Sequence, residues 1–250
     1  MTADLDRVAE VLAGASRVSV LTGSGISAES GVPTFRTEDG LWENYRLEDV
    51  ATPEAVARNP RGVWEFYEMR RANMQAVQPN AGHFALAELA PMFESFTLAT
   101  QNIDGLHQRA GSADVLEVHG SLWRAHCDHC GRVVDPFPFP APEIPPPCGC
   151  GEVLRPSVVL FGEALPHDVF AAATAAASEC DVAFSIGTSS VVWPAAGLPV
   201  LAGERGAFVI EINPAATELT PAFDVSLRGP AGTVLPDLVR RVRRVREGTA

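Results

Sequence analysis

His119, backed by Gly120, closes the short apolar run 115–118. An imidazole held at a strand end is placed to take a proton near neutral pH. A second polar group, Thr100-Gln101-Asn102-Ile103-Asp104-Gly105-Leu106-His107, follows the apolar run 96–99. The carboxyl ends of strands are where open α/β sheets gather ligands. Gln101, Asn102 and Asp104 offer amides and a carboxylate there, groups that grip ribose hydroxyls and a carboxamide. The same residues also read as a polar turn entering a helix. A third segment, Gly23-Ser24-Gly25-Ile26-Ser27-Ala28-Glu29, follows the apolar run 17–21. Its G-x-G-x-x-A spacing is that of a first βα turn whose backbone N–H groups receive a pyrophosphate, and equally that of a glycine turn with no ligand. Gly31 and Pro33 end any helix within two turns and leave a polar loop that finishes in Phe35 and Arg36. A dehydrogenase would instead run through a long helix to a second strand with an acidic residue about 20 positions on. That layout is missing, which counts against hydride transfer.

Four of the five cysteines cluster, as Cys127-Asp128-His129-Cys130 and Cys148-Gly149-Cys150. Two pairs on separate turns can supply four thiolates at tetrahedral geometry, the arrangement of a closed structural zinc site. In a chain without secretory features such pairs read as metal ligands before disulfides, and zinc is favoured over a redox dithiol. Gly131, Gly149 and Gly151 suit the tight turns that aim backbone N–H groups at sulfur. Four ligands leave no open position, so the metal is not expected to do the chemistry. His126 and His129 are possible substitute ligands and read more simply as exposed loop histidines. Cys180 reads as a buried small hydrophobe.

Apolar runs at 18–21, 96–100, 115–118, 182–186, 208–212 and 225–227 are interspersed with helical stretches at 81–89, 169–178 and 232–245. This alternation predicts an α/β sheet with helices on both faces. Leu5, Val8, Ala9 and Leu12 give the N-terminus the pattern of a surface helix, not of a signal peptide. Two insertions interrupt the alternation. Residues 45–77 look helical, with Trp64, Phe66, Tyr67 and Met69 as a bulky cluster, and residues 124–155 hold the cysteines and a proline-rich loop, 135–147. That loop reads as a surface excursion between the ligand pairs. At 250 residues and 46% hydrophobic composition the chain can bury a sizeable core. A net charge of −12 counts against nucleic acid as a partner, and no apolar run is long enough to span a membrane. Cytoplasmic residence is the expectation.

Taken in order, the glycine loop, T-Q-N-I-D-x-L-H, H-G and the cysteine pairs resemble the sirtuins, the NAD-dependent protein deacylases, over nearly the whole chain. Downstream, Leu154-Arg155-Pro156-Ser157-Val158-Val159-Leu160-Phe161-Gly162-Glu163 resembles the family segment that pairs with a substrate peptide as an added strand. The resemblance implies a Rossmann-like parallel sheet over 1–44, 78–123 and 156–250, a helical insertion over 45–77 and a zinc-binding module over 124–155. It implies NAD contacts at Gly23, Ser24, Gly25, Ala28, Glu29, Phe35, Arg36 and Trp42 in the loop. Further contacts are implied at Gln101, Asn102, Ile103 and Asp104, at Gly187, Thr188 and Ser189, at Asn213, Pro214 and Ala215, and at Ala231. His119, Asn102 and Asp104 would be catalytic, and Phe161, Gly162 and Glu163 would meet substrate. Zinc would sit on Cys127, Cys130, Cys148 and Cys150, although the second pair is one residue shorter than the usual sirtuin spacing. NAD would be consumed, and acyl-lysine would become lysine, nicotinamide and O-acyl-ADP-ribose. Mono-ADP-ribosyl transfer on the same scaffold is the alternative, because the first bond broken is the same.

Tyr67 and Arg70 lie three apart and so share one helical face. A phenol and a guanidinium on one face can bind a carboxylate, or can be a buried aromatic beside a solvated charge. This Y-x-x-R resembles the signature of class III sirtuins, which remove succinyl, malonyl and similar acidic groups, and the small Ala51 would leave room for a longer acyl chain. Removal of acidic acyl groups, with acetyl removal alongside, is the expectation, and removal of acetyl alone is the alternative.

Overall fold

The computed structural model describes residues 2–34, 41–42 and 45–248. Phe35 and Arg36 fall outside them, as does the side chain of Trp42. In chain order the helices are α1 (Thr2–Gly14), α2 (Leu47–Val50), α3 (Pro53–Arg58), α4 (Pro60–Gln75), α5 (Ala81–Leu89), α6 (Leu106–Arg109), α7 (His167–Glu179), α8 (Gly197–Glu204) and α9 (Ala231–Arg246). The strands are β1 (Arg17–Thr22), β2 (Leu41–Trp42), β3 (Tyr45–Arg46), β4 (Ser95–Thr100), β5 (Leu116–Glu117), β6 (Gly120–His126), β7 (Val133–Val134), β8 (Arg155–Val158), β9 (Val182–Ile186), β10 (Phe208–Ile212) and β11 (Val225–Leu227).

Six strands form a parallel sheet in the order β11-β10-β9-β1-β4-β5. Side chains on a strand alternate between faces, and both faces here are apolar. Val18, Val20, Phe184, Ile210 and Ile212 point into a core closed by α1, α5 and α9, while Leu21, Ala183 and Val209 meet α7 and α8 on the other side. This is the α/β sheet with helices on both faces that the alternation predicts. The run 115–118 makes only the two-residue β5. Helix α8 was not legible, because Gly197, Pro199 and Gly203 give it the composition of a turn; Pro199 sits in its first turn, where a missing N–H costs nothing.

Along the chain the sheet grows outward from β1 through β4 to β5, then returns to the other side of β1 with β9. The strand order reverses there, so the loops after β1 and β9 part and open a crevice beyond their carboxyl ends. The glycines of the first loop serve this junction. The Gly25 N–H donates to Gly187 O at 2.7 Å, and a Cβ on Gly25 would lie 2.6 Å from that same oxygen. A Cβ on Gly23 would stand 2.8 Å from the Thr188 Cα. The close approach they permit is therefore first of all to the neighbouring strand's loop. Gly25→Ala is expected to force the two backbones apart at a cost of about 1–3 kcal/mol, the range for overpacking. A thermal midpoint lowered by several degrees, with Gly14→Ala unchanged, checks this; a Cβ on Gly14 would meet nothing within 4 Å.

Between β5 and α7 the chain builds a smaller antiparallel sheet, β7-β6-β8. Helix α4 packs on it through Trp64, which lies against Cys127, Phe137, Cys148 and Leu154 and donates its indole N–H to Leu154 O at 2.6 Å. The proline-rich segment is no loose excursion. Arg71, 1% exposed, donates to the carbonyls of Phe137 and Pro138 at 2.8 Å each, pairs with Glu68 at 2.7 Å and lies over the Phe137 and Phe139 rings. Removing that guanidinium would orphan the buried Phe137 carbonyl. No helix among the described residues is long and apolar enough to cross a membrane.

Candidate active site

The first loop continues from β1 as a 3-10 turn, Ser24–Ser30, and ends at Gly31, whose φ of 85° lets its N–H reach back to Ala28 and Ser27. Its Ser27 is fully buried and faces the end of β4. The Ser27 hydroxyl donates to Asp104 Oδ2 at 2.8 Å and accepts from Asn102 Nδ2 at 3.1 Å. Asp104 Oδ1 accepts from the Leu106 N–H at 2.9 Å, so both carboxylate oxygens are held. Burial raises the Asp104 pKa, against the Leu106 and Ser27 hydrogen bonds and the charge of Arg70. Ser27 was not singled out from the sequence, yet it joins the glycine loop to the Asn102–Asp104 turn. A serine inside a glycine-rich loop is its only local signal.

His119 leaves β5 and precedes β6. Gly120, with φ 78°, makes the sharp turn, and a Cβ there would lie 2.1 Å from Ser157 O. The nitrogen Nδ1 lies 3.1 Å from Gln101 O. A carbonyl can only accept, so Nδ1 carries the proton and Nε2 is left with a free lone pair. Burial lowers the His119 pKa, opposed by the bond to Gln101, and the ring is neutral at pH 7.

These groups meet at a cavity of about 240 Å³. Gly23, Ser24, Gln101, Asn102, Ile103, Asp104, His119, Thr188 and Ser189 line it. Tyr67, Arg70, Ala51, Phe161, Gly162 and Glu163 line the same cavity. Other candidates stand behind them. Gly25 and Gly187 pack on each other, and Asn213 donates to Thr188 O at 2.8 Å. Glu29 accepts from the Gly232 N–H at 2.6 Å, close to the α9 N-terminus that Ala231 opens. Arg228 holds the Ala215 carbonyl at 2.7 Å, beside Pro214. None of Ala28, Glu29, Asn213, Pro214, Ala215 or Ala231 lines the cavity. Leu165, Val192 and Trp193, the last 63% exposed, also line the cavity and were missed; a tryptophan in a loop past a strand end carries no periodic signal.

The four Sγ atoms of Cys127, Cys130, Cys148 and Cys150 lie within 4.8 Å of one another. Cys127 is 3.6 Å from Cys150, and Cys130 is 3.6 Å from Cys148. A tetrahedron with Zn–S bonds of about 2.3 Å needs S···S separations of about 3.8 Å. The donor set thus fits zinc, and the short Cys148–Cys150 spacing does not spoil it. Turns at Gly131 and Gly151, with φ of 71° and 100°, bring each pair round. Of the two nearby histidines, His129 is exposed, while His126 is half-buried and bonded to Ser157 and Asp128. Cys180 is half-buried, and burial pushes its thiol up to about 11.

The model of the Sir2 family matches residues 23–194. An NAD-dependent protein deacylase 2 of Pyrobaculum aerophilum is 52% identical over 238 residues, 95% of each chain. An NAD-dependent protein deacylase of Pyrococcus furiosus is 46% identical over 247 residues, 96% of this chain and 99% of that one. Among solved structures, a mutant Sir2 homologue in complex with ADP-ribose superposes with a TM-score of 0.91 at 45% identity, covering 98% of each chain. A Sir2 protein bound to a myristoylated histone peptide superposes with a TM-score of 0.79 at 37% identity, covering all of both.

Proposed function

The chain belongs to the Sir2 family and is an NAD-dependent protein-lysine deacylase, and we propose that it removes short acidic acyl groups, succinyl or malonyl, together with acetyl. The observation that carries the acyl preference is the pairing of Tyr67 and Arg70 on one buried face of α4, in the wall of the cavity that also holds His119. Arg70 is 7% exposed and lines the cavity, where a planar guanidinium matches a carboxylate with two parallel N–H donors. Burial pushes the Tyr67 phenol well above its ordinary value, against the charges of Arg70 and Arg155, so it stays a hydrogen-bond donor at neutral pH. Ala51, 2% exposed, leaves the space beside them open.

NAD, when bound, would supply an electrophilic ribose carbon and nicotinamide as its leaving group. The chain's own groups do the rest. Asn102 and Asp104, tied through Ser27, hold the polar end of the cavity, with His119 as the base whose Nε2 takes a proton from the ribose hydroxyls. Phe161 and Trp193 flank the mouth and exclude water from the reacting centre, and the segment after β8 offers its backbone to a peptide as an added strand. Zinc on the four cysteines holds the small sheet and takes no part in the chemistry.

The test uses acetyl-, malonyl- and succinyl-lysine peptides of one sequence with NAD, reading nicotinamide and peptide mass. Arg70→Met is expected to lower kcat/KM for succinyl-lysine by about 10- to 150-fold, the worth of hydrogen bonds to a charged group, and to spare acetyl-lysine. Equal loss on both, or none on either, would overturn the acidic-acyl pocket. A mass gain of ADP-ribose on the peptide would replace deacylation by ADP-ribosyl transfer.

A further inference from the structure

Strand β6 parts from its neighbour where it passes the turn that carries Asn102 and Asp104. It pairs with β8 at Gly120 and again at Ala125 and His126, and the register breaks between them. Irregularities of this kind re-aim a strand's side chains beside a site. Backbone groups in the interval go elsewhere: the Leu122 N–H donates to Ile103 O at 2.9 Å, and Trp123 O accepts from the Phe137 N–H at 2.7 Å. The Trp123 side chain completes the grip on the turn, its indole N–H donating to Asp104 O at 2.8 Å. Gly105 passes so close that a Cβ on it would lie 2.9 Å from the indole nitrogen. Arg71 lies over the Trp123 ring, 5.6 Å from its centroid, and the same guanidinium holds the Phe137 and Pro138 carbonyls. Trp123 is thus tied to the proline-rich segment and α4 as well as to the turn Ile103-Asp104-Gly105.

We infer that Trp123 is a positioning residue for the reaction: its indole N–H fixes the Asp104–Gly105 peptide and so aims the Asp104 carboxylate at the cavity. Asn102, Ile103 and Asp104 line that cavity and Trp123 does not, so it acts through Asp104 and touches no substrate. The carboxylate is held by Ser27 and by the Leu106 N–H, and the second of these belongs to the turn that Trp123 grips. A turn free to rotate about Gly105 would carry that donor, and the carboxylate with it, away from the geometry the reaction needs. The inference rests on the reading of Asn102 and Asp104 as the groups that hold NAD. It gives Arg71 and the proline-rich segment a part in turnover, because they fix the ring that fixes the turn.

The experiment measures kcat/KM for NAD in the full zinc-loaded chain, with acetyl- and succinyl-lysine peptides in turn and below every thermal midpoint. Trp123→Phe keeps an aromatic ring beneath Arg71 and removes the N–H. Benzothienylalanine at position 123 keeps the bicyclic shape and puts sulfur in place of that N–H. Both are expected to lower kcat/KM for NAD about tenfold, the scale of a misplacement of a fraction of an ångström. The factor is expected to be the same for the two peptides, with the KM for peptide unchanged. Trp64→Phe is the control. It removes an equivalent N–H, the donor to Leu154 O, and is expected to lower the thermal midpoint while leaving kcat/KM for NAD as it was. An unmoved kcat/KM in the benzothienylalanine chain, or a loss that Trp64→Phe matches, would overturn the role. So would a loss confined to one peptide. Asp104→Asn separates the two failures. If it lowers kcat/KM for NAD while both Trp123 replacements leave it intact, only this inference falls. If it too changes nothing, the reading of Asp104 as an NAD-holding group falls and this inference with it.

Discussion

His119→Ala is expected to lower kcat for deacylation by about 10²- to 10⁴-fold, the contribution of a positioned general base, with zinc content and thermal midpoint retained. The expectation follows from the tautomer. Nδ1 is committed to Gln101 O, so only Nε2 can accept a proton, and the ring lines the same cavity as Asn102, Asp104 and Tyr67. The pH dependence has a definite sign. Burial lowers the His119 pKa, and the neutral ring is the active form. The rate is therefore expected to fall as pH drops, along a limb whose midpoint lies below the ordinary histidine value of about 6.5, and to be level above it. A limb centred above that value would remove His119 as the base. So would an unchanged kcat in His119→Ala.

Stripping the metal is expected to have the larger effect on stability. Structural zinc sites bind with an apparent free energy of about 10–16 kcal/mol in zinc-finger peptides at pH 7, and in such sites binding and folding are one event. The cluster here closes the β7-β6-β8 sheet, whose remaining core is small: Trp64, Ala125, Phe137 and Leu154 with two of the cysteines themselves. Strand β6 runs directly from the residue after His119 to the residue before Cys127. Loss of zinc therefore frees the flank of the base as well as the segment after β8 that lines the cavity. A strong chelator, or Cys127→Ser, is expected to abolish deacylation and melt this sheet, read by hydrogen exchange at Leu122–Ala125 amides, while Cys180→Ser changes neither. Replacement of zinc by cobalt is expected to restore both fold and activity, since four thiolates leave no position for chemistry. Activity that survives full chelation would remove the metal's structural role.

Much of the site was legible because its chemistry is local. A C-x-x-C and a C-x-C, with glycines to turn them, state a thiolate donor set within a few residues. A His-Gly after an apolar run and a Gln-Asn-x-Asp after another state polar groups at strand ends. The three-residue spacing of Tyr67 and Arg70 puts them on one helical face whatever surrounds it. Other features had no local signal. The sequence could present Arg71 only as a charge on an exposed-looking helix, whereas the fold buries it among Phe137, Pro138 and Phe139. It marked the proline-rich segment as a loop and could not say that the loop packs against Glu68 and Arg71 of α4. The resemblance implied a cofactor contact at Glu29, and no local pattern announced that its carboxylate would also accept from the Gly232 N–H.

What the sequence by itself determined was the set of reactive groups, the helix and strand periods that carry them and the metal's ligands, because side-chain chemistry and backbone preference act over one or two turns of chain. Tertiary structure alone decided which groups share a cavity. The strand order reverses between β1 and β9, the contact of Gly25 with Gly187 locks the two loops together behind the cavity, and Glu163, held by Arg155, reaches the lining that Tyr67 and Arg70 share. Glycine approach depends on an element some 160 positions away, and the strand reversal on the path of the whole chain. Local pattern does not encode such distances; the packing of the two faces of the sheet does.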